Sequence, residues 1–241
     1  MNFKLALTTT ALGLAFAAQA HAAPQTIDLT TGTAGGDAFA ASATSLFMTT
    51  AFNGFDDSVD GSTNFNFSGT APLTAGGALE AVAGHPAGEY DISRFDGSTS
   101  QAMEGSVYRL NNVAVNVGDT LSFDWTFYTN EPVTGALADA AYFSVLNNLT
   151  ALLANAAGGI TGDAGLSGYR AATGNVFSHT FANAGTYSLV FAVVDTDDFT
   201  TSSALAVNNL AITPVPEAET YAMMLAGLGL VGFMAARRRR A

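Results

Sequence analysis

The sequence predicts a mainly β fold, an antiparallel two-sheet sandwich with a targeting segment at each end. Segments in which apolar and polar side chains alternate recur through the middle of the chain, separated by turn-forming residues. Gly, Thr, Ser, Asn and Phe are frequent there, and Lys and Glu are rare, which is typical of strands and turns. Each end of the chain instead carries one uncharged apolar run.

Residues 1–22 have the three-part layout of a secretory signal peptide. A single lysine, Lys4, precedes an alanine-rich apolar run, and Ala20-His21-Ala22 forms an A-x-A cleavage site. We expect cleavage after Ala22, with Ala20 as the second choice. The chain that follows is therefore predicted to be exported.

Residues 23–213 are predicted to form a single β-sandwich ectodomain. Residues 23–214 contain 18 acidic side chains, three arginines and no lysine, and so carry a formal charge of −15. This charge argues against nucleic acid and anionic lipid as partners, and it is compatible with divalent cations or with simple solubility. The chain has no cysteine, which excludes disulfides, thiol catalysis and Cys-ligated zinc.

The clearest strand spans residues 120–128, where Leu, Phe, Trp and Phe alternate with polar residues. Residues 107–117 alternate in the same way, and Gly118-Asp119 between the two segments is a turn signal. This arrangement predicts a hairpin of the two strands.

Further elements follow on both sides of this segment. Residues 175–181 and 186–195 read as strands joined by a turn at 183–185. A short helix is expected over 149–157, before the glycine-rich loop 158–168. Other strands are predicted at 46–52, 63–68, 140–146 and 203–212.

The C-terminal tail has three parts. A proline-containing linker over residues 214–220 breaks any helix and leaves the segment extended. Residues 221–236 carry no charge and predict a transmembrane helix about 24 Å long, somewhat short for a ~30 Å bilayer core. Snorkelling arginines and local bilayer thinning would close that gap. Residues 237–241 form a basic tail that favours a cytoplasmic C-terminus and contains Arg237, Arg238, Arg239 and Arg240.

This order of polar motif, apolar helix and basic terminus resembles the PEP-CTERM sorting signal of Gram-negative bacteria that make exopolysaccharide. Pro216 and Glu217 carry the resemblance, together with the flanking residues 219–222 and the run 224–230. Ala218 stands where the family has proline, which bears on the efficiency of processing. The resemblance implies recognition by exosortase, a membrane transpeptidase-like enzyme, cleavage near Pro216, and transfer to the cell surface or matrix. Pro216 and Glu217 would act as substrate residues, not as catalysts.

A second resemblance covers residues 104–213. It implies a jelly-roll or carbohydrate-binding-module-like sandwich without an established reaction. The residues that recur in one group of PEP-CTERM ectodomains are Glu104-Gly105-Ser106, Thr120-Leu121-Ser122-Phe123-Asp124-Trp125, Thr129-Asn130-Glu131, Ala184-Gly185-Thr186-Tyr187 and the ending 203–209.

Two acidic segments are candidate calcium sites. Asp195, Asp197 and Asp198 follow a strand, and three carboxylates this close repel one another unless they are solvated or share a cation. Asp124 and Glu131 would add oxygens only if the fold brings them near. The segment 56–61 begins like a calcium-binding loop, but its twelfth position is Phe67 instead of a carboxylate, so an acidic turn is the better interpretation.

No catalytic motif is evident in the sequence. His85 and His179 stand alone, without the spacing of a metal site, and Ser167 lies in an incomplete nucleophile elbow. Trp125 falls on the apolar face of its strand and is assigned to the core, whereas Tyr128 lies on the opposite face, where it would stack on a sugar ring if exposed.

The leading hypothesis is a non-enzymatic, exosortase-sorted protein of the cell surface or extracellular matrix, linked to exopolysaccharide and biofilm. On this hypothesis it is anchored in the inner membrane with a periplasmic ectodomain before transfer. The alternative is a calcium-dependent carbohydrate-binding module. A matrix hydrolase is the third and least supported hypothesis, because the acidic residues alone do not identify a catalytic pair.

Overall fold

The computed structural model describes residues 23–52, 65–131, 139–158, 160–165, 168–199, 201–215 and 218–238. Residues 23–215 form one compact unit that contains every described strand. The C-terminal helix belongs to a separate unit and is described by itself below.

The compact unit consists of strands with a few short helices. Its strands are β1 (Gln25–Thr26), β2 (Thr33–Gly35), β3 (Asp37–Ser42), β4 (Ser45–Thr49), β5 (Leu73–Thr74), β6 (Ala102–Val115), β7 (Thr120–Thr129), β8 (Ala140–Val145), β9 (Leu149–Asn155), β10 (Gly162–Asp163), β11 (Arg170–Thr180), β12 (Gly185–Thr196) and β13 (Ser203–Thr213). Its α-helices are α1 (Ala78–Ala83) and α2 (Ser93–Asp96), and two 3-10 turns lie at Leu29–Thr31 and Ala156–Gly158.

The strands form two sheets, and every described pairing is antiparallel. Sheet A has the order β10-β11-β7-β13-β4-β3, with β1 also beside β13. Sheet B has the order β2-β6-β12-β8-β9, with β5 also beside β6. The prediction of a mainly β chain with two antiparallel sheets is confirmed, and the arrangement is consistent with a sandwich.

An aromatic cluster from both sheets fills the centre of the main core. Phe123 and Phe177 come from sheet A, and Phe143 and Phe191 from sheet B. Neighbouring ring centroids in this cluster lie 4.9 to 5.1 Å apart, in tilted, edge-on and stacked pairs. Aromatic pairs of this geometry stabilise a core beyond their buried area. The alternating strands predicted from sequence therefore place their apolar faces against one another.

The turn at Gly118-Asp119 joins two sheets and does not close a hairpin. β6 lies in sheet B, where it pairs with β12, and β7 lies in sheet A, where it pairs with β11. The connection from β11 to β12 crosses beside it, and the two connections bond to each other: Gly118 N donates to Phe181 O at 2.8 Å, and Phe181 N donates to Asp119 O at 2.9 Å. The predicted hairpin is wrong because each strand forms its backbone hydrogen bonds within a different sheet, and the apolar faces of the two sheets meet in the core.

Two further predictions need correction. Residues 149–155 are strand β9, not a helix, because the turn after β8 brings Leu149 opposite Val145. A short leucine-rich run does not distinguish helix from strand by its period. Of the strand predicted at 63–68, residues 65–68 contain no strand, and 63–64 lie outside the described residues.

The outer face of sheet B is also buried, because helix α1 and the segment after it pack against it. β8 is buried along its whole length, and its Tyr142 packs in a second core with Leu79 of α1 and with Tyr90 and Ile92 of the segment that follows. A strand buried on both faces reads as a nearly continuous apolar run, and in β8 only Ser144 interrupts it.

Candidate functional site

Two residues separate the last strand of the compact unit from Pro216, the first residue of the predicted Pro-Glu motif. β13 stops at Thr213, and Val215 N donates a hydrogen bond to Asp119 Oδ1 at 3.1 Å. The chain is therefore attached to the turn between the two sheets up to Val215. Pro216 and Glu217 follow at once and lie outside the described residues.

The tail continues as helix α3, Ala218–Arg238. From Met224 onward its described side chains are exposed, and Arg237 and Arg238 stand in its last turn, where positive charge complements the helix dipole. A helix that is apolar around its circumference needs an apolar environment to cover it. The large apolar side chains exposed on α3 are Met224, Leu225, Leu228, Leu230, Val231, Phe233 and Met234.

The predicted transmembrane helix over 221–236 is not supported in that form. A helix is present and is longer than predicted, but among the described residues no helix is both long enough and apolar enough to cross a membrane. The uncharged stretch between Glu219 and Arg237 measures about 25 Å as a helix, shorter than a ~30 Å hydrocarbon core.

A cluster of buried carboxyl groups lies at one end of the main core. Asp195 follows Val194, which pairs with Ala140, so Asp139, directly before strand β8, stands opposite Asp195. Glu131 reaches the same cluster from the end of β7. The three side chains are no more than 3% exposed, and one oxygen of each has no hydrogen-bond partner among the described residues.

The electrostatics of this cluster favour the protonated form. Burial, together with the nearby charges of Asp139 and Asp198, raises the pKa of Glu131 to about 8 in spite of a smaller lowering by Arg170. Burial, followed by the facing Asp139, also raises the pKa of Asp195. Burial likewise raises the pKa of Asp139. Adjacent buried carboxyls cannot all ionise, so the cluster shares protons unless a cation neutralises it.

The structure separates the three predicted calcium ligands. Asp195 belongs to the buried cluster, and Asp198 lies within electrostatic range of it. Asp197 instead adopts a left-handed backbone, with φ of 66°, and its Oδ1 accepts a hydrogen bond from Gln101 N at 2.9 Å. Across the described ranges, no three His, Cys, Asp or Glu side chains are already arranged to hold a metal ion.

Of the two acids considered as additional ligands, one joins the cluster. Glu131 does so, whereas the Oδ2 of Asp124 accepts a hydrogen bond from Asn209 Nδ2 at 2.7 Å on the strand beside it. The sequence did not identify Asp139 as a candidate, because only the pairing of β8 with β12 brings it opposite Asp195. The acidic segment 56–61 and Ser167 lie outside the described residues.

An aromatic surface covers the outer face of sheet A near Tyr128. The ring centroids of Tyr128 and Phe47 are 6.2 Å apart, and Phe47 meets Phe67 edge-on at 5.0 Å. Phe67 remains 54% exposed. As predicted, Tyr128 faces away from the core and Trp125 packs against it. The sequence did not predict the grouping, because its members come from segments far apart in the chain.

A carboxylate holds the edge of this aromatic surface. Asp37 is fully buried, and it accepts hydrogen bonds from Thr49 Oγ1 at 2.5 Å, Ser68 N at 2.6 Å and Phe67 N at 3.1 Å. These contacts connect β3, β4 and the segment that carries Phe67.

The two isolated histidines each pack edge-on against a ring, His85 on Tyr90 and His179 on Phe181.

Comparison with known proteins identifies the tail. Residues 214–240 match the PEP-CTERM protein-sorting motif. No curated protein matches the chain. The motif implies an exported protein that exosortase processes at the membrane, while the resemblance of residues 104–213 to an ectodomain group stays a prediction.

Proposed function

We propose that this chain, whose tail carries a PEP-CTERM protein-sorting motif, delivers a non-catalytic β-sandwich to the cell surface or extracellular matrix. The match of residues 214–240 to the sorting motif is the observation that carries the proposal. Exosortase would act as the processing enzyme, and the exopolysaccharide matrix, as in a biofilm, would be the destination.

The arrangement of the chain around the motif supports processing at this point. The sandwich is complete at Thr213, and the bond from Val215 to Asp119 is its last described attachment before Pro216. Cleavage near Pro216 would therefore release an intact domain. The exposed apolar surface of α3 and its arginine end suit an enzyme site that lies at the bilayer.

A role without catalysis is supported by where the acidic groups lie. Glu131, Asp139 and Asp195 are the described carboxyls whose pKa values are most strongly raised, yet all are nearly inaccessible to solvent. General acid–base catalysis on a polymer needs groups within hydrogen-bond reach of the substrate. Burial inside the sandwich favours a structural role for these acids over a hydrolytic one.

Expression in the native host tests the sorting. The full chain is compared with a chain lacking residues 215–241 and with a Glu217→Gln variant, and Asp163→Asn serves as a control that removes one exposed negative charge outside the motif. We expect the full chain and the control in the surface or matrix fraction, and the deletion and Glu217→Gln outside it. Equal retention of the full chain and the deletion in these fractions would refute the proposal.

Calcium dependence is the second candidate, favoured by buried oxygens of Asp139, Asp195 and Glu131 that find no hydrogen-bond partner among the described residues. Calcium takes six to eight oxygen ligands, and carboxylates are its usual protein donors. Because no three described side chains are already arranged for a metal, binding would require Glu131 to turn toward the aspartate pair. A ligand that binds only the folded state must raise its stability. An unchanged melting temperature of the full chain in calcium and in chelator would remove this candidate.

A further inference from the structure

A polar cavity of about 350 Å³ lies on the outer side of sheet B. Its walls come from two places: the segment around α2, and the turn between β8 and β9. The side chains used below are Glu89, Arg94, Phe95, Asn147 and Asn148. The volume is at the lower end of the range of about 300–1,000 Å³ that is typical of small-molecule sites.

The polar wall of this cavity is held in place before any ligand arrives. Arg94 forms an ion pair with Glu89 at 2.5 Å and also donates from Nη1 to the Glu89 carbonyl at 2.7 Å. Thr150 Oγ1 donates to Glu89 Oε1 at 2.6 Å. The pair is neutral overall, and it offers both donors and acceptors to a ligand. A wall held in this way loses little conformational entropy on binding.

An aromatic ring forms the apolar part of the site. Phe95 follows Arg94 on α2, and its ring packs against Tyr142 with centroids 5.4 Å apart. Phe95 is nevertheless 37% exposed. A ring that is supported by a buried neighbour and open to solvent provides a rigid surface for the apolar face of a ligand.

The turn after β8 supplies uncharged hydrogen-bonding groups. Asn147 has a left-handed backbone, with φ of 61°, and Asn148 N donates to Val145 O at 2.9 Å. Both side chains are exposed, and each amide carries two donors and an acceptor. His85 also lines the cavity, and its Nε2 finds no hydrogen-bond partner in the described part of the chain.

We propose that this cavity binds one neutral sugar unit, with its hydroxyls on Arg94, Glu89 and the two asparagines and its ring face on Phe95. A polyol needs donors and acceptors together, whereas the polar walls suit an apolar ligand poorly. The formal charge of −15 on residues 23–214 disfavours an acidic sugar. The inference relies on the proposed matrix location only for the source of the sugar, because the matrix would supply it.

Ligand-observed NMR on the purified full chain tests the site. The protein is kept in a detergent without a sugar headgroup, and the probes are methyl α-glucopyranoside, methyl α-mannopyranoside, methyl β-galactopyranoside and the anionic galacturonate. We expect saturation transfer to at least one neutral glycoside. Phe95→Ala and Asn147→Gly should each weaken that binding about tenfold, which corresponds to the loss of ~1.4 kcal/mol in contacts.

The variants and controls make the result decisive. Glycine keeps the left-handed turn at position 147, so Asn147→Gly removes the side chain and its amide without straining the backbone. Phe199→Ala removes an equally large exposed ring elsewhere in the unit and should leave binding unchanged. The inference is overturned if no neutral glycoside binds, if galacturonate binds more tightly, or if neither site variant weakens binding. Because sorting is read in cell fractions and sugar binding on purified protein, either can fail without the other.

Discussion

Replacing Asp37 by alanine should loosen the edge of the sandwich that carries the aromatic surface. The carboxylate is fully buried and accepts three hydrogen bonds, from Thr49 Oγ1, Ser68 N and Phe67 N. A hydrogen bond to a charged group contributes about 1.5–3 kcal/mol, and the Thr49 hydroxyl can rotate to another acceptor. We therefore expect a loss of about 3–5 kcal/mol in the free energy of unfolding, less than the simple sum.

Urea unfolding of the full chain, followed by the fluorescence of Trp125, measures this loss. The midpoint should fall while the slope m stays the same, because the substitution changes stability and not the area exposed on unfolding. Asp37→Asn, which keeps one acceptor oxygen, should lose less than Asp37→Ala.

Asp124→Ala is the matched control, because Asp124 accepts a hydrogen bond from the exposed Asn209 on the same sheet and should cost less than about 1 kcal/mol. If Asp37→Ala costs no more than this control, the carboxylate does not hold the edge and the reasoning is wrong.

Two further predictions concern the interior of the sandwich. The raised pKa of Glu131, about 8, means that its contribution to stability is fully present below the pKa of the unfolded chain, near 4.5, and is lost as pH rises toward 8. In chelator, the melting temperature should therefore fall between pH 5 and pH 9, and Glu131→Gln should flatten the profile; a profile identical to wild type would contradict this assignment. Gly105→Ala places a Cβ 2.4 Å from Val193 O on the neighbouring strand and should cost about 1–3 kcal/mol in urea unfolding, whereas Gly77→Ala, which meets nothing within 4 Å, should cost less; equal losses would show that strand spacing is not limiting.

The sequence was most informative where the physics is local. The alternation over residues 120–128 places one face of β7 against the core and Tyr128 on the other face, because successive side chains of a strand point to opposite sides. The sorting motif could be read in the same way, since its prolines, its apolar run and its arginines are contiguous in the chain. The division into two antiparallel sheets followed from the number and spacing of such strands.

The sequence failed where a partner had to be chosen. The turn at Gly118-Asp119 is real, yet it leads from one sheet to the other, and a turn signal alone does not show which strand will pair with which. The run 149–155 has a helix-compatible composition, and only its pairing with β8 makes it a strand. In the first half of the ectodomain the sequence predicted strands at 46–52 and 63–68, but neither α1 nor the Asp37 contacts.

The buried acids show the same division. Asp195 was identified as unusual because acidic residues crowd after its strand, but its neighbours in sequence do not share its environment. Asp139 lies opposite Asp195 at the start of the neighbouring strand, β8. Glu131 approaches Asp195 from the end of β7, in the other sheet.

The sequence by itself thus determined the sorting motif of the tail and the alternating faces of the strands, because both depend on residues close together in the chain. The tertiary structure alone decided which carboxyls meet in the core and which aromatic rings gather on one face. It also decided that the cavity beside α2 has a neutral polar wall. Those arrangements depend on strand register and sheet packing, where the interacting groups are brought together from distant parts of the chain.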